Sequence, residues 1–304
     1  MNMISDRRTR MIPLALTCAG MMACSLPASA HMIDEWERLD SPNTEKKVDE
    51  APVPGKSWTD SLTGIRFVWI PGGCFAMGSP PWKEYRENDE GPVHQVCVSD
   101  YWLSDREVTQ GQWQAVMRIN PSAFPKGDNY PLEQVSWIDA EVVGNNLNAR
   151  FQGQARFRLP TEAEWEYACR EGGDDLNYAG RADLLHQAWY ADNSHRSTQP
   201  TATRKPNRLG LYDMSGNVWE WTADSYHPDS YHHRGRKPPG TEMDDGQLKA
   251  IRGGGWKDGP GGVRCAGRGF ERATVKRSDL GFRLAAVVGM AQEGKRPQPL
   301  AIPF

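Results

Sequence analysis

The sequence lacks long apolar runs, a basic stripe and any internal repeat. Its 36 Lys and Arg stand against 39 Asp and Glu, which gives a formal charge of −3 and a pI near 6.2. Nucleic-acid binding depends on clustered positive charge, so this balance excludes it. Beyond the first thirty residues, no segment is long and apolar enough to span a bilayer as a helix. We therefore expect neither a nucleic-acid partner nor a transmembrane segment in the mature chain.

Sustained helical periodicity is scarce after Glu171, whereas glycine, proline and tryptophan are abundant. The chain of 304 residues contains 30 Gly, 22 Pro and 12 Trp. Because Gly and Pro interrupt regular elements, this composition favours a loop-rich globular fold over a helical bundle.

The first thirty residues are typical of an export signal. Arg7, Arg8 and Arg10 form a basic start, the apolar run MIPLALTCAGMMACSLP follows, and the small residues ASA end at Ala30, where cleavage is expected. A lipid anchor at Cys24 is the alternative, but the bulky MM before it disfavours that reading. The pattern predicts a periplasmic or secreted protein and leaves open whether export uses the Sec or the twin-arginine route.

Composition divides the chain into segments. Residues 1–30 are the signal peptide, and residues 31–57, charged and proline-containing, form a flexible linker. Residues 58–290 form one domain and residues 291–304 a C-terminal tail. Within the domain, the polar, Gly/Pro-rich segment 226–246 is predicted to be an exposed loop.

Local patterns inside the domain predict both strands and helices. The phrase GIRFVWIPGGCFAMGS contains two apolar runs joined at Pro71–Gly73, which indicates a hairpin or a bulge, and DLGFRLA is typical of a closing strand. Three helix starts carry an N-cap residue with a reciprocal polar residue three positions later. These are Thr109 with Gln112, Ser136 with Asp139, and Thr161 with Glu164. The expected fold class is α+β with much irregular structure.

Export changes the meaning of the cysteines. Removal of the leader takes away Cys18 and Cys24 and leaves four. In an oxidising compartment, four thiols imply up to two disulfides, with three possible pairings.

Seven phrases in order carry a resemblance to a known family. They are FVWIPGGCFAMGS, REVTQGQW, YPLEQVSWIDA, RLPTEAEWEYACR, GLYDMSGNVWEW, RGGGW and DLGFRLA. Together they resemble the formylglycine-generating enzyme (sulfatase-modifying factor) family. The resemblance covers the chain after the linker and implies an irregular fold related to the C-type lectin-like fold.

The resemblance also implies what this chain has lost. Enzymes of the family convert a substrate cysteine to formylglycine with oxygen, using two cysteines that bind copper after an RGGS motif. Here, in RGGGWKDGPGGVRCAGR, Asp258 stands where the first cysteine is expected and Val263 near the second. A carboxylate and a valine cannot replace the soft thiolates that suit Cu(I). We therefore expect neither copper nor formylglycine generation, and whether the chain is an enzyme is left open.

The disulfide pairing is implied by the same resemblance. The family bonds the cysteine of EWEYSCR to that of RCAAR, which here are Cys169 in EWEYACR and Cys265 in VRCAGR. The alternative is that Cys265 is a free nucleophile. Cys74 and Cys97 remain as the second pair, on neighbouring strand-like segments.

A calcium site is implied by the run DMSGNVWE. Transferred position by position, its ligands are the side chains of Asp213 and Glu220 and the backbone carbonyls of Gly216 and Val218. Such oxygen donors suit a hard cation. The alternative is that Asp213 only caps the turn while Glu220 pairs with an arginine. The family's second calcium site starts near Asn193, but its remaining ligand segment is shortened here.

The remaining candidate residues are aromatic or basic. Most tryptophans are expected in the core, but Trp256 lies on the loop that faces the family's substrate groove. Three histidines in a loop match no standard zinc spacing; they are His227, His232 and His233. Three arginines are expected in buried ion pairs; they are Arg252, Arg268 and Arg283.

Three functions stay open at the level of sequence. The first is a periplasmic maturation or oxidation factor for a small molecule or peptide, similar to the exported branch of the family that completes the siderophore pyoverdine. In it, Asp258 serves as a general base and Trp256 as a stacking platform. The second is a non-catalytic, C-type-lectin-like binding module. The third is a formylglycine-generating oxidase, which needs the missing copper site.

Overall fold

The computed structural model describes residues 56–151, 154–233 and 247–288. The predicted signal peptide, the C-terminal tail and nearly all of the predicted linker lie outside the described residues, so the domain limits stay predictions. Within the described ranges, no helix combines the length and the apolar character needed to cross a membrane.

Short helices and strands alternate with long irregular connections. The helices of the described ranges are α1 (Gln110–Met117), α2 (Trp137–Phe151), α3 (Glu162–Cys169) and α4 (Leu184–Gln187). The strands are β1 (Trp58–Thr59), β2 (Arg66–Ile70), β3 (Gly73–Met77), β4 (His94–Val98), β5 (Tyr101–Ser104), β6 (Ala155–Arg158), β7 (Trp219–Ser225), β8 (Leu248–Arg252), β9 (Arg268–Arg272), β10 (Leu280–Gly281) and β11 (Ala285–Val288). The predicted α+β class is confirmed.

The strands form two curled sheets and one ribbon. A five-stranded antiparallel sheet has the order β1-β2-β5-β11-β6. A four-stranded sheet has the order β10-β7-β8-β9, in which only β10 and β7 are parallel. Strands β3 and β4 pair with each other as a separate antiparallel ribbon.

The predicted helix starts are confirmed by their hydrogen bonds. At α1, the Thr109 side chain accepts the Gln112 N–H while the Gln112 side chain accepts the Thr109 N–H. The same reciprocal box opens α3 at Thr161 and Glu164. Before α2, Ser136 exchanges the same bonds with Asp139, at 2.9 and 3.1 Å. Each box satisfies donors that the helix itself leaves unpaired.

The prediction of a hairpin at Pro71–Gly73 is wrong. Strand β2 pairs with β5, and β3 pairs with β4, so the two runs belong to different sheets. The chain passes so close to β4 that a Cβ on Gly72 would lie 2.6 Å from the Val98 carbonyl oxygen. Glycine therefore serves here as a close crossing between sheets, a role that the local pattern does not distinguish from a turn.

Tryptophan fills the core, as expected for most of these residues. Trp102, Trp165 and Trp221 are fully buried. One apolar cluster gathers Trp102 and Trp221 between the two sheets and α2. A second gathers Trp165 with the β3 side chains and Cys169.

The start of the predicted exposed loop is exposed only in part: Pro228, Asp229 and His232 are exposed, whereas two tyrosines are buried. Tyr226 and Tyr231 are only 7% and 4% exposed. Both rings lie against the guanidinium of Arg268, at 4.9 and 4.2 Å from its central carbon. Cation–π contact and burial thus anchor this segment at Tyr226 and Tyr231. Residues 234–246 of that prediction lie outside the described residues.

Both expected disulfides are formed. Cys169 at the end of α3 bonds to Cys265, and both side chains are fully buried. Cys74 of β3 bonds to Cys97, which lies directly opposite on β4, and both are exposed. Cys265 is therefore not a free nucleophile.

Candidate functional site

The glycine-rich connection from β8 to β9 is anchored at its start by Arg252. This side chain is fully buried and forms an ion pair with Glu166 of α3. It also donates to the carbonyl oxygens of Cys265 at 2.9 Å and Ala266 at 3.2 Å. One guanidinium thus holds together both ends of the connection.

The end of the connection is anchored in the same way. Arg268 donates to both carboxylate oxygens of Glu162, at 2.7 and 3.1 Å. Elsewhere, Arg283 does the same with Glu220, at 2.6 and 2.7 Å. The prediction that these arginines form buried ion pairs is confirmed. Such pairs fix geometry, since their charges are costly to bury alone.

Between the two anchors, Asp258 is held by one of its oxygens. Its Oδ2 accepts the indole N–H of Trp219 at 2.7 Å and the backbone N–H of Gly255 at 2.8 Å. Its backbone also closes a turn, donating to the Gly255 carbonyl and accepting from Ala191. No described residue donates a hydrogen bond to Oδ1. The carboxylate is therefore oriented, with one oxygen left as an acceptor.

A cavity of about 270 Å³ lies beside this carboxylate. Trp219, Ile251 and Phe270 give it apolar surface, and three glycines of the connection, at 261, 262 and 267, together with Gly269 of β9, bring backbone to its wall. A Cβ on Gly269 would lie 3.0 Å from the Trp219 ring, so glycine lets the indole lie flat against the strand. We call this cavity the Asp258 groove.

The arginines of the groove are already paired. Arg264 donates to both oxygens of Glu90, at 2.9 and 2.5 Å. Arg277 donates to both oxygens of Asp279, at 2.9 and 2.6 Å. Burial by itself raises the pKa of Asp279, but Arg277 and Lys257 bring it below its ordinary value. Because these two arginines are ion-paired, the positive charge at the groove is largely neutralised. The wall also contains Glu87, and the open oxygen of Asp258 is a further acceptor there.

Trp256 lies outside this groove. Its indole N–H donates to the Ser278 carbonyl at 3.0 Å, and its ring meets Phe124 edge to face at 5.6 Å between centroids. The cavity wall contains Trp219 instead. Reasoning from the sequence missed Trp219, because its 39-residue separation from Asp258 hides their contact.

Position 263 has no ligand for copper. Val263 is fully buried in a small apolar cluster with Ala188 and Tyr190. All four described cysteines are in disulfides, so none offers a thiolate here. The residues present do not fit a copper ion bound by two thiolates.

Three of the predicted calcium ligands lie on a tight turn before β7, and the fourth, Glu220, lies in β7 itself. Asp213 and Gly216 have positive φ, 55° and 85°, and a Cβ on Gly216 would collide with the Trp189 carbonyl at 2.1 Å. Asp213 Oδ2 accepts the Ala202 N–H at 2.6 Å, while its buried Oδ1 has no partner among the described residues. Burial raises the pKa of Asp213 to about 6.

Glu220 is already occupied by other donors. Besides Arg283, it accepts the Trp165 indole N–H at 2.7 Å. A further buried carboxylate, Glu107, accepts the Val218 N–H at 3.0 Å and the Asn217 side chain at 2.7 Å, which hold the turn in shape. Burial, then the charges of Asp213 and Glu220, raise the pKa of Glu107. Glu107 lies just after β5, 111 residues before Val218 in the chain. No sequence signal predicted its role at this turn.

The donors of this turn fit a cation at Asp213 more closely than at Glu220. The unpartnered buried Oδ1 is the kind of atom that a cation satisfies, whereas Glu220 must share its oxygens with Arg283. No set of three or more His, Cys, Asp or Glu side chains suited to a metal occurs among the described residues, which include His227, His232 and His233. Asn193 bonds the backbone of its own loop, at Tyr190 and Ala188.

Comparison with known proteins gives the family. The model of the sulfatase-modifying factor enzyme 1-like domain matches residues 52–288. The chain belongs to this family, and it shares the fold of the formylglycine-generating enzymes.

Individual relatives carry names that refer to different functions. The chain is 29% identical over 239 residues to the chaperone protein LppX of Paenibacillus barcinonensis, covering 62% of this chain and 78% of that one. It is 29% identical over 288 residues to the formylglycine-generating enzyme of Streptomyces coelicolor, covering 72% and 88%. The solved structure of PvdO from Pseudomonas aeruginosa has 26% identity and a TM-score of 0.67, covering 78% and 99%.

Proposed function

We propose that this protein is an exported, periplasmic maturation factor that oxidises a small molecule or peptide bound in the Asp258 groove. The observation that carries the proposal is the Asp258 carboxylate, which is oriented through Oδ2 and open at Oδ1 beside an aromatic-walled cavity. Acceptors positioned in this way serve as general bases. The likeness to PvdO supports a role similar to that of the pyoverdine-completing branch.

The chemistry assigned to Asp258 is proton removal. Trp219 and Gly255 keep the carboxylate in one orientation, so that Oδ1 points to substrate without the cost of arranging it during the reaction. In a two-electron oxidation, the substrate loses two electrons and two protons. Asp258 accepts one of the protons and later gives it up, and dioxygen takes up the two electrons and both protons and leaves as hydrogen peroxide. Trp219 and Phe270 offer the apolar surface on which a flat substrate can lie.

Disulfide bonding supports the assignment to the periplasm. Both cysteine pairs of the described residues are oxidised. Disulfides persist in exported proteins and are rare in the reducing cytosol. The apolar start ending at Ala30 supports the same assignment.

Replacement of Asp258 by Asn tests the proposed base. The amide oxygen can still accept from Trp219 and Gly255, so the fold is retained while the proton acceptor is lost. With the dihydro form of the pyoverdine chromophore as probe, we expect kcat/KM to fall by about 10²-fold or more, measured by absorbance and peroxide release. Unchanged turnover by Asp258→Asn would show that the base is elsewhere.

A binding module is the second candidate. The likeness to a protein named as a chaperone supports it, since chaperones act by binding. If the probe binds the groove, Trp219→Phe weakens the binding, and neither product nor peroxide forms, the protein binds its ligand without catalysis.

Formylglycine generation is the third candidate. Copper retention with oxygen consumption on a Cys-x-Pro-x-Arg peptide would revive it against the chemistry of Asp258 and Val263.

We also propose a structural calcium ion at the turn of Asp213, Gly216, Val218 and Glu220. The buried, unpartnered Oδ1 of Asp213 supports it. Excess chelator is expected to lower the Tm of the wild type by several degrees, because an ion bound only to the folded state adds stability. The Asp213→Asn variant, which lacks the charge, should show a smaller shift. An identical Tm with and without chelator contradicts the site.

A further inference from the structure

The two disulfides differ in access to solvent. Cys169 and Cys265 are fully buried, and thiol reagents reach them only when the core opens. Cys74 and Cys97 are both exposed on the outer face of the β3–β4 ribbon. Since thiol–disulfide exchange needs in-line access to a sulfur, the two bonds have different chemical fates in the folded protein.

The exposed bond also joins the two strands that carry one wall of the Asp258 groove, with three paired positions between the bond and that wall. Strands β3 and β4 are joined by the segment Gly78–Val93, which we call the groove strap. Within it, Glu90 pairs with Arg264, and the Tyr85 carbonyl accepts from Arg264 at 2.6 Å. The Tyr85 ring covers Gly261, where an added Cβ would lie 3.1 Å from the tyrosine Cβ. The strap therefore reaches the connection that carries Asp258.

The ribbon can survive the loss of this bond. Its inner face buries Phe75 and Met77, while Cys74 and Ala76 alternate to the outside. At the start of the strap, the Gly78 N–H donates to Glu166 at 2.9 Å, and its carbonyl accepts from Arg170 at 2.7 Å. These contacts and the backbone ladder remain when the sulfurs separate, so opening the bond loosens the strap without unfolding the core.

We propose that Cys74–Cys97 is a thiol-exchange site through which a dithiol controls the mobility of the groove strap. One thiolate of the dithiol attacks a cysteine sulfur, forms a mixed disulfide and releases the other cysteine as thiolate. The second thiol of the dithiol then displaces the first cysteine. The dithiol leaves as a disulfide, having supplied two electrons and the two protons that the cysteines take up.

The regulatory part of this inference rests on the proposed function of the Asp258 groove. The modification itself does not, because it follows from exposure and cross-strand placement. Loosening of the strap acts on the Glu90–Arg264 pair and on the cover of Gly261, and leaves the Asp258 contacts with Trp219 and Gly255 in place.

Selective reduction of the mature protein tests the site. Native protein is treated with dithiothreitol, quenched with N-ethylmaleimide, digested and quantified by mass spectrometry. Cys74 and Cys97 are expected to be labelled at least about tenfold faster than Cys169 and Cys265, because access limits exchange. Equal rates for the two pairs, or no labelling of Cys74 and Cys97 before unfolding, would overturn the proposal.

Hydrogen exchange tests the link to the groove. Reduction should speed exchange of residues 78–93 by about tenfold while the amides of α3 are unchanged, as expected for local opening. The double variant Cys74→Ser/Cys97→Ser should match the reduced protein and respond no further to dithiothreitol. Unchanged exchange in the strap after complete reduction refutes the link. Neither measurement needs a substrate, so each tests the disulfide proposal independently of the proposed activity.

Discussion

The two ends of the stretch Arg252–Gly269 differ from its middle in burial and in how their polar atoms are bonded. At the ends, Arg252, Cys265 and Arg268 are buried, and each is bonded to a residue of α3. In the middle, Asp258 lies partly exposed, with one oxygen held and one open. Carboxylates and arginines thus hold the structure at the ends, where they are buried in ion pairs. In the middle, the carboxylate of Asp258 is held through Oδ2 alone and keeps Oδ1 as a free acceptor.

Loss of the buried disulfide at the end of the stretch should cause the largest decrease in unfolding free energy. Cys169 and Cys265 are 96 residues apart, so chain entropy alone predicts a loss of about 4–5 kcal/mol for the double Ser variant. In the matched control, Cys74→Ser/Cys97→Ser, the disulfide that is removed joins residues 23 apart. This variant should lose about 3 kcal/mol of unfolding free energy. Urea unfolding of both variants measures the difference. A reversed order would mean that the buried pair is not the principal staple.

Arg252→Met should cause the next largest loss of unfolding free energy. It leaves the fully buried Glu166 with the ion pair to Arg170 and the hydrogen bond from the Gly78 N–H. Removing one partner of a buried ion pair costs about 3–5 kcal/mol of unfolding free energy. The control, Arg208→Met, removes a pair with Glu171 whose arginine side chain is 60% exposed, and should cost less than about 1 kcal/mol. Equal losses in the two variants would contradict the contrast between buried and exposed pairs.

The pH dependence of stability is expected to respond to Asp224, which supports the end held by Glu162 and Arg268. Asp224 accepts the Glu162 N–H at 2.6 Å, and burial, then the charge of Glu162, raises its pKa to about 6. A raised carboxyl pKa means that the folded state binds the proton more tightly than the unfolded chain does. Stability from this group is therefore complete below about pH 4 and is lost as pH rises through 6.

The isosteric variant Asp224→Asn isolates this effect. Relative to the variant, the wild type should lose up to about 2–3 kcal/mol between pH 4 and pH 7. The difference is read from urea unfolding of both proteins across that range. Parallel pH curves would show that Asp224 does not titrate as a buried group.

Asp258→Asn should have the smallest effect on stability, within about 0.5 kcal/mol. Its Oδ2 contacts have an amide equivalent, and its open oxygen supports no described neighbour. The same variant carries the expected loss of turnover, so the two measurements together separate a chemical role from a structural one. A large loss of stability would place Asp258 with the buried ends of the stretch.

Sequence reasoning succeeded where the information is local or carried by the family resemblance. The capping boxes at Thr109, Ser136 and Thr161 are confirmed because donor and acceptor lie three residues apart. The family resemblance supplied the Cys169–Cys265 pairing, which the structure contains. Local pattern failed at Pro71–Gly73, since a turn and a crossing between sheets use the same residues.

The candidate site was predicted only in part. Asp258 was found from its position in the motif, but Trp219, which orients it, was not, and Trp256 was placed at a groove that it does not line. For Glu220, the arginine partner stated as the alternative is present as Arg283. The calcium ion and the roles of Asp258 in turnover stay predictions.

The sequence by itself determined the fold class, the family, the helix starts and the loss of the copper cysteines, because each depends on residue identity at short range or on ordered motifs. Only the tertiary structure decided which oxygen atoms are satisfied. The partners of Asp258, Glu220 and Glu107 lie 39, 63 and 111 residues away. A hydrogen bond acts over about 3 Å, so the availability of each carboxylate is fixed by the folding that brings distant donors to it or leaves one oxygen open.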